Sequence, residues 1–347
     1  MITVEAVEDG GNPRDPAAIQ RLGDAAHFRI VPFSEDGDAN YKFALHVLAR
    51  NTGPSPAPLT LEIDWGDQAY MVSRGFLHVR RAGRWEFLPV MVDGSLGRLM
   101  IVLPPGESAI GLSPAYGLAD RAAFLAQPAL TSVRRDVIGY SEQGRPIESF
   151  SFGTGPRRLL VTARFHPYET AASWCIEGLL SWLTARSEAQ EQLLRQTSVD
   201  VVPMPNPDGV VLGLCKRTGL GGTDLSHEAG KSDDATARVL LDLLDTLRPA
   251  AFLDIHGWMH FDEDGLHHYD DGLAARFQHA AAGDQALIGN RWKAYLERPC
   301  AGSPLWYSTQ RYGTLALAVS YRWPGRTLAQ MQAIGTGTLR AFTAAIS

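Results

Sequence analysis

Cysteine is scarce in this chain: Cys175, Cys215 and Cys300 form an odd set with no CxxC pair among them. That argues against a disulfide framework and a cysteine-built zinc knuckle, and it fits a reducing, cytoplasmic setting. Any metal must then be held by histidine and carboxylate. An excess of positive charge is also missing. The formal net charge is −6, so no global basic field draws the chain to nucleic acid or to an anionic membrane. No apolar run approaches the ~20 residues of a transmembrane helix. The N-terminus, Met1-Ile2-Thr3-Val4-Glu5, lacks the basic flank and apolar core of a secretory signal. Repeats and low-complexity tracts are absent as well. The glycine-rich Gly219-Leu220-Gly221-Gly222 lacks the Lys-Ser/Thr ending of a phosphate loop.

What is present is enough chain, 347 residues, for two domains with sizeable cores. The first hundred or so residues carry strand patterns at 42–50, 59–65, 75–81, 85–90 and 99–103. Turn chemistry such as Asn51-Thr52-Gly53-Pro54 and Asp93-Gly94 separates them. Short strands at this spacing predict a small antiparallel β-sandwich over 1–120. His46 and His78 fall inside these strands and read as structural or surface residues.

From Thr131 the texture changes, and strands alternate with helices. Strands are expected at 135–138, 147–152, 159–163, 199–203, 250–255 and 315–321. Helices are expected at 171–185, 188–197, 234–247 and 326–345. This alternation predicts an α/β fold, a three-layer α/β/α domain over 121–347 with a mostly parallel sheet. Ligands in such folds sit beyond the carboxyl ends of strands.

Two stretches put polar groups at those ends. Leu159-Leu160-Val161-Thr162-Ala163 leads into Arg164-Phe165-His166-Pro167-Tyr168-Glu169, where a histidine and a carboxylate at i and i+3 can grip one ion from the same side. On its own, that spacing also describes a surface histidine and a helix-start glutamate. The apolar strand Phe252-Leu253 ends in Asp254-Ile255-His256-Gly257. His256 reads either as a core histidine satisfied by Asp254 or as a ligand whose second nitrogen a carboxylate steers. Two histidines and one glutamate leave a fourth zinc position open for water, as hydrolytic sites require.

Between these stretches lie Asn206-Pro207-Asp208-Gly209-Val210, Arg217 and Gly222-Thr223-Asp224-Leu225-Ser226-His227. Together with His166-Pro167-Tyr168-Glu169 and Asp254-x-His256-Gly257, these motifs resemble, in order, those of the zinc carboxypeptidases. The chain looks most like the cytosolic carboxypeptidase branch, over roughly residues 113–324, with the β domain matching more loosely. The resemblance implies one Zn²⁺ held by His166, Glu169 and His256. It makes Arg217, seven residues before Asp224, the group that steadies the developing oxyanion, with Lys216 in its place if the alignment slips by one. It also implies hydrolysis of a terminal amide bond in a peptide or peptide-like small molecule, and leaves the oligomeric state open.

Two departures qualify that expectation. Asn-Arg, which grips a substrate's C-terminal carboxylate in the family, is replaced here by Ser226-His227. A histidine offers neither the bidentate fork nor the permanent charge of arginine. The family's general-base glutamate aligns with Ala318 in Thr314-Leu315-Ala316-Leu317-Ala318-Val319-Ser320-Tyr321, with Ser320 as the next register. No aspartate or glutamate occurs from Arg298 to Ser347. General acid–base catalysis contributes roughly 10²–10⁴-fold, so the chain is expected to be nearly inactive. Either it has lost catalysis and binds a peptide end, or Ala318 is an engineered Glu→Ala replacement; the intact metal set favours the second. A small-molecule amidase or deacylase is the further alternative that Ser226-His227 favours.

The acidic and histidine-rich run after His256 (His260, Asp262, Glu263, Asp264, His267, His268, Tyr269, Asp270, Asp271) reads as a solvated loop bordering the cleft or, alternatively, as helping to shape the substrate pocket. Trp306, Tyr307, Tyr312 and Trp323 read as cleft-wall or packing aromatics.

Overall fold

The computed structural model describes residues 1–35, 41–258, 262–297 and 300–347. Among the described residues, the N-terminal region contains ten strands: β1 (Ile2–Ala6), β2 (Ile19–Arg21), β3 (His27–Ile30), β4 (His46–Asn51), β5 (Ala57–Asp64), β6 (Phe76–Arg81), β7 (Arg84–Pro89), β8 (Met91–Asp93), β9 (Leu96–Leu103) and β10 (Gly106–Gly111). They form two five-stranded sheets, β1-β4-β10-β6-β7 and β2-β3-β5-β9-β8. All pairings are antiparallel except β3 with β5. Alternation does the folding work. Val47, Ala49, Leu77, Val79 and Ile110 of one sheet meet Ile30, Leu59, Leu61, Ile63 and Leu99 of the other in one buried core, while the intervening residues face out. The strands near both termini of this region, β1 to β3 and β10, are too short or too polar to stand out in the sequence.

After α1 (Met71–Arg74), α2 (Leu118–Leu125) and α3 (Pro128–Thr131), the second region begins with the hairpin β11 (Arg134–Tyr140) and β12 (Pro146–Phe152). There follow β13 (Arg157–Ala163), α4 (Thr170–Leu183), α5 (Glu188–Gln196), β14 (Thr197–Val202), α6 (Pro207–Val211), α7 (Ala235–Leu247) and β15 (Ala251–Trp258). The region closes with β16 (Asp264–His268), α8 (Asp271–Gly283), β17 (Trp292–Leu296), α9 (Pro304–Tyr312), β18 (Leu315–Arg322) and α10 (Leu328–Ala345). Their sheet runs β11-β12-β14-β13-β15-β18-β16-β17, parallel in the centre from β14 to β18. Leu159, Val161 and Ala163 bury one sheet face against α4, α8 and α10; Leu160, Phe252 and Ala316 bury the other beneath α7 and α9. That is the three-layer arrangement expected of continuous apolar strands.

One expectation fails here. The run after His256 is not a solvated loop throughout: Asp264–His268 is strand β16, with Asp264 and His268 buried. Asp264 carries the charge of this strand inward, where Arg326 donates to its carboxylate at 2.7 Å. His260 lies outside the described residues.

Candidate metal centre

His166 and Glu169 come off the carboxyl end of β13 through a turn that the sequence fixes at several points. Arg164 adopts a left-handed φ of 61° and buries its guanidinium, which donates to Tyr116 O at 3.1 Å, to Ser173 Oγ at 2.8 Å and to Pro167 O. Asn206 supports the turn from the other side. Its amide donates to Phe165 O (2.9 Å) and Arg217 O (3.2 Å), and its Oδ1 accepts from Gly209 N. Gly209 must lack a side chain, because a Cβ there would lie 2.4 Å from Arg217 O. Gly257 is constrained in the same way: its Cβ would sit 2.9 Å from Glu169 Cβ. Thus the Asn-Pro-Asp-Gly and Asp-x-His-Gly motifs act as spacers around the His166–Glu169 turn.

His166, Glu169 and His256 converge, each offering one ligand atom, with these atoms within 4.8 Å of one another. The His166 Nδ1 lies 2.8 Å from Glu169 Oε1, and the His256 Nδ1 lies 2.7 Å from Glu169 Oε2. Each imidazole turns its other nitrogen to a second carboxylate. Asp254 Oδ2 is 2.6 Å from His256 Nε2 and Asp224 Oδ1 is 3.2 Å from His166 Nε2. Thr162 in turn donates to Asp254 at 2.6 Å. All three ligand candidates are buried. Burial opposes charge on all of them, but opposite charges win. Glu169 is held well below the usual carboxylate range by the two imidazoles, and His166 is pushed up to about 9 by Glu169 and Asp224. Two imidazoles and a carboxylate, with both rings steered by carboxylates, are a donor set that fits a divalent zinc ion.

The opposite wall differs. In the β15–β18 ladder Ala318 faces Asp254 and Ser320 faces His256, and both line the cleft. Ser320, rather than Ala318, is therefore the residue directly opposite the metal-side histidine. Neither carries a carboxylate. One step further across the sheet, His267 pairs with Ala318 in the ladder, and its Nδ1 lies 2.6 Å from Glu297 Oε1. Both line the same cleft, whose empty volume is about 900 Å³. Glu297 immediately precedes the acid-free stretch that starts at Arg298, so a search for a substitute carboxylate within that stretch alone misses it. Only the β16–β17 pairing, which local pattern does not reveal, brings it to the wall.

The cations are rearranged relative to expectation. The Arg217 guanidinium donates to Gly222 O at 2.8 Å and to Glu228 Oε2 at 3.1 Å, whereas Lys216 is among the residues lining the cleft. Arg217 is bridged to Asp224 through the backbone. Glu35 of the N-terminal region fixes that backbone by accepting from the amides of Cys215 (2.9 Å), Lys216 and Arg217 (3.1 Å). Burial disfavours the Lys216 ammonium, but Asp224 and Tyr41 more than offset it, and its pKa is raised. Ser226 and His227 line the cleft. His227 is largely exposed, with Nδ1 3.3 Å from Asp224 Oδ2. Asp224 thus ties His166 to His227, a role that sequence spacing alone does not reveal.

Among the described residues, no helix is long and apolar enough to cross a membrane. Residues 124–256 match the family model described as zinc carboxypeptidase (Peptidase_M14). An uncharacterized protein of Zymomonas mobilis is 31% identical over 131 residues, which cover 37% of this chain and 34% of that protein. Cytosolic carboxypeptidase 2 of Xenopus tropicalis is 43% identical over 83 residues, 24% of this chain and 8% of that protein. The chain therefore spans about a third or less of the length of these relatives. The metallo-carboxypeptidase of Burkholderia cenocepacia shares the fold along 100% of this chain and 99% of its own, with a TM-score of 0.84 at 18% identity. Residues 124–256 thus match a zinc carboxypeptidase domain and are homologous to part of the cytosolic carboxypeptidases, within an α/β fold that follows an N-terminal antiparallel sheet.

Proposed function

We propose that this chain is a zinc-dependent hydrolase of an amide bond near the end of a peptide or peptide-like small molecule. It would act in the cytoplasm as two domains, 1–120 and 121–347. His166, Glu169 and His256 hold one Zn²⁺, which when bound supplies Lewis acidity toward the scissile carbonyl and toward water. The observation that carries the reading is the pair of imidazoles whose Nδ1 atoms converge on Glu169 while Asp224 and Asp254 hold their Nε2 atoms. Lys216 takes the place expected of Arg217: it is the ammonium on the cleft wall, positioned to meet an oxyanion or a substrate carboxylate. His227 and Ser226 contribute hydrogen bonds at the same wall without a bidentate fork.

Turnover is slow in this reading, because alanine cannot take a proton and an unassisted serine hydroxyl is a poor base. If position 320 is the base position, the serine there is sufficient explanation and no engineered alanine need be invoked. A second reading, an amidase or deacylase acting on a small molecule, is favoured by the missing arginine fork beside Ser226. A binder without catalysis is the remaining one.

The test combines elemental analysis of the purified protein with a hydrolysis panel that pairs free-acid with blocked C-termini. One zinc per chain and zinc-dependent cleavage of free acids support the peptidase form. Equal cleavage of blocked substrates shifts the reading to the amidase. Absence of stoichiometric metal removes the hydrolase altogether.

A further inference from the structure

Position 318 holds only a methyl group, yet the sheet delivers a titratable pair to the same stretch of wall. The ladders set Asp254, Ala318, His267 and Tyr295 side by side in one row across β15, β18, β16 and β17. Residues paired across an antiparallel ladder, as Ala318 and His267 are, project from the same face with Cβ atoms roughly 5 Å apart. His267 is therefore the next side chain outward from Ala318, and both line the metal-side cleft. The Ala318 side chain ends at its Cβ, so it puts no bulk between the imidazole and the middle of the cleft.

The His267 ring is held from two directions. Its Nδ1 lies 2.6 Å from Glu297 Oε1, and its plane stacks on Tyr295 at 5.1 Å and 11°. The hydrogen bond from His267 holds the Glu297 carboxyl below the usual carboxylate range, so the acid is ionised and only accepts. In the neutral ring Nδ1 therefore carries the hydrogen and Nε2 the lone pair. A carboxylate that fixes the tautomer in this way prepares an imidazole to accept a proton. The His267 side chain is 23% exposed, so it is open to what enters the cleft. Other groups on the cleft are less suited. Lys216 keeps its proton because its pKa is raised, and burial has the same effect on the Tyr269 phenol. His227 also turns Nδ1 to a carboxylate, but at 3.3 Å, and it shares that Asp224 with His166, beside the ligands rather than across from them.

We infer that His267, set by Glu297, is the group that takes the proton from the attacking water in this chain. The inference rests on the hydrolase reading, which supplies the attack to be assisted. A water O–H bond breaks and its proton passes to Nε2. The oxygen's electron pair closes the bond to the scissile carbonyl carbon, and the carbonyl π pair moves onto its own oxygen. On collapse that pair re-forms the C=O bond, the C–N bond breaks, and the leaving nitrogen takes the proton back from Nε2. The imidazole ends neutral, as it began. Standing one strand further out than position 318, His267 assists less than a carboxylate there, in keeping with slow turnover.

The test places His267→Gln in two backgrounds of the full chain, with zinc content and KM followed throughout. In the native background it should lower kcat for amide hydrolysis roughly tenfold, short of the 10²–10⁴-fold of a directly placed base. In the more active of the Ala318→Glu and Ser320→Glu chains it should cost less than about twofold, because the nearer carboxylate takes the proton. A purely structural role costs the same in both. A second measurement needs neither zinc nor turnover. Nitrogen NMR of the histidine rings, with His267 assigned from the variant, should show the hydrogen on Nδ1 in the native chain and a shift toward Nε2 in Glu297→Ala. No loss of kcat, equal losses in both backgrounds, a His267 that rests with its hydrogen on Nε2, or a loss that follows His227→Gln instead overturns the inference and leaves the hydrolase reading in place. Cleavage by a glutamate variant but not by the native chain does the same. Absence of zinc-dependent cleavage from the native chain and from both glutamate variants removes the hydrolase reading, and the inference with it.

Discussion

The two walls of the main cleft are built to different standards. On the β13–β15 side every candidate ligand is backed by a partner, and the backing continues outward: Thr162 supports Asp254, which holds His256. On the β18–β16 side the positions nearest His256 and Asp254 are a serine and an alanine, and the titratable groups sit one strand further away. Holding a metal and moving a proton are thus separable tasks in this fold. The first needs buried, mutually neutralising charges, which cost several kcal/mol per ion if unpaired and so come as a complete set. The second needs a single well-placed base, and its loss leaves the buried set undisturbed.

That comparison can be broken most forcefully on the metal side. His256→Ala removes a ligand and leaves Asp254 and Glu169 without their shared imidazole. Zinc content should fall from one per chain to none by elemental analysis. Asp254→Asn keeps all three ligands but loses the charge that steers the ring. It should weaken zinc by roughly 10–100-fold in a chelator competition. If Asp254→Asn leaves zinc affinity unchanged, the carboxylate is only a packing partner and the two walls are less different than argued.

On the other wall, restoring a carboxylate should raise turnover by roughly 10²–10⁴-fold while zinc content stays constant. The sequence resemblance points to Ala318→Glu, whereas the ladder register opposite His256 points to Ser320→Glu. Making both variants decides between them, since one lateral step along a strand moves a side chain by two residues on the same face. Should neither variant gain activity on any substrate with zinc bound, the cleft is a binding site and its base was not the missing part.

Much of this was legible before the structure. The helices 171–185 and 234–247 and the strands 159–163 and 315–321 stand out because their apolar patterns are local, and the second helix is also capped by Asp234. The convergence of His166, Glu169 and His256 follows from placing both motifs at carboxyl ends of strands that turn out to be neighbours. What escaped was non-local. β16 is five residues of Asp-Gly-Leu-His-His, polar enough to read as a loop, and it becomes a strand because β18 and β17 pair with it on both sides. Glu297 therefore could not be placed beside Ala318 from sequence. Arg217 has the spacing expected of it, but of the two adjacent cations it is Lys216 that lines the cleft, on a backbone held by Glu35.

That last reversal gives the smallest expected effect. Lys216 lines the cleft and Arg217 is engaged by Gly222 and by the half-exposed Glu228. Lys216→Ala removes a charged donor that a carboxylate or oxyanion would meet, so KM for free-acid substrates should rise by roughly tenfold or more. Arg217→Ala removes a partly solvated ion pair worth about 1 kcal/mol or less, visible as a small drop in Tm with KM nearly unchanged. Zinc content monitors both proteins. The reverse outcome, with Arg217→Ala raising KM and Lys216→Ala silent, would return the arginine to the role its spacing suggested and would require the 216–224 backbone to turn over when substrate binds. Conservative Lys216→Arg separates charge from shape: rescue by arginine means that a cation is all the wall requires, and no rescue means that the compact ammonium beside Tyr41 is itself what the substrate recognises.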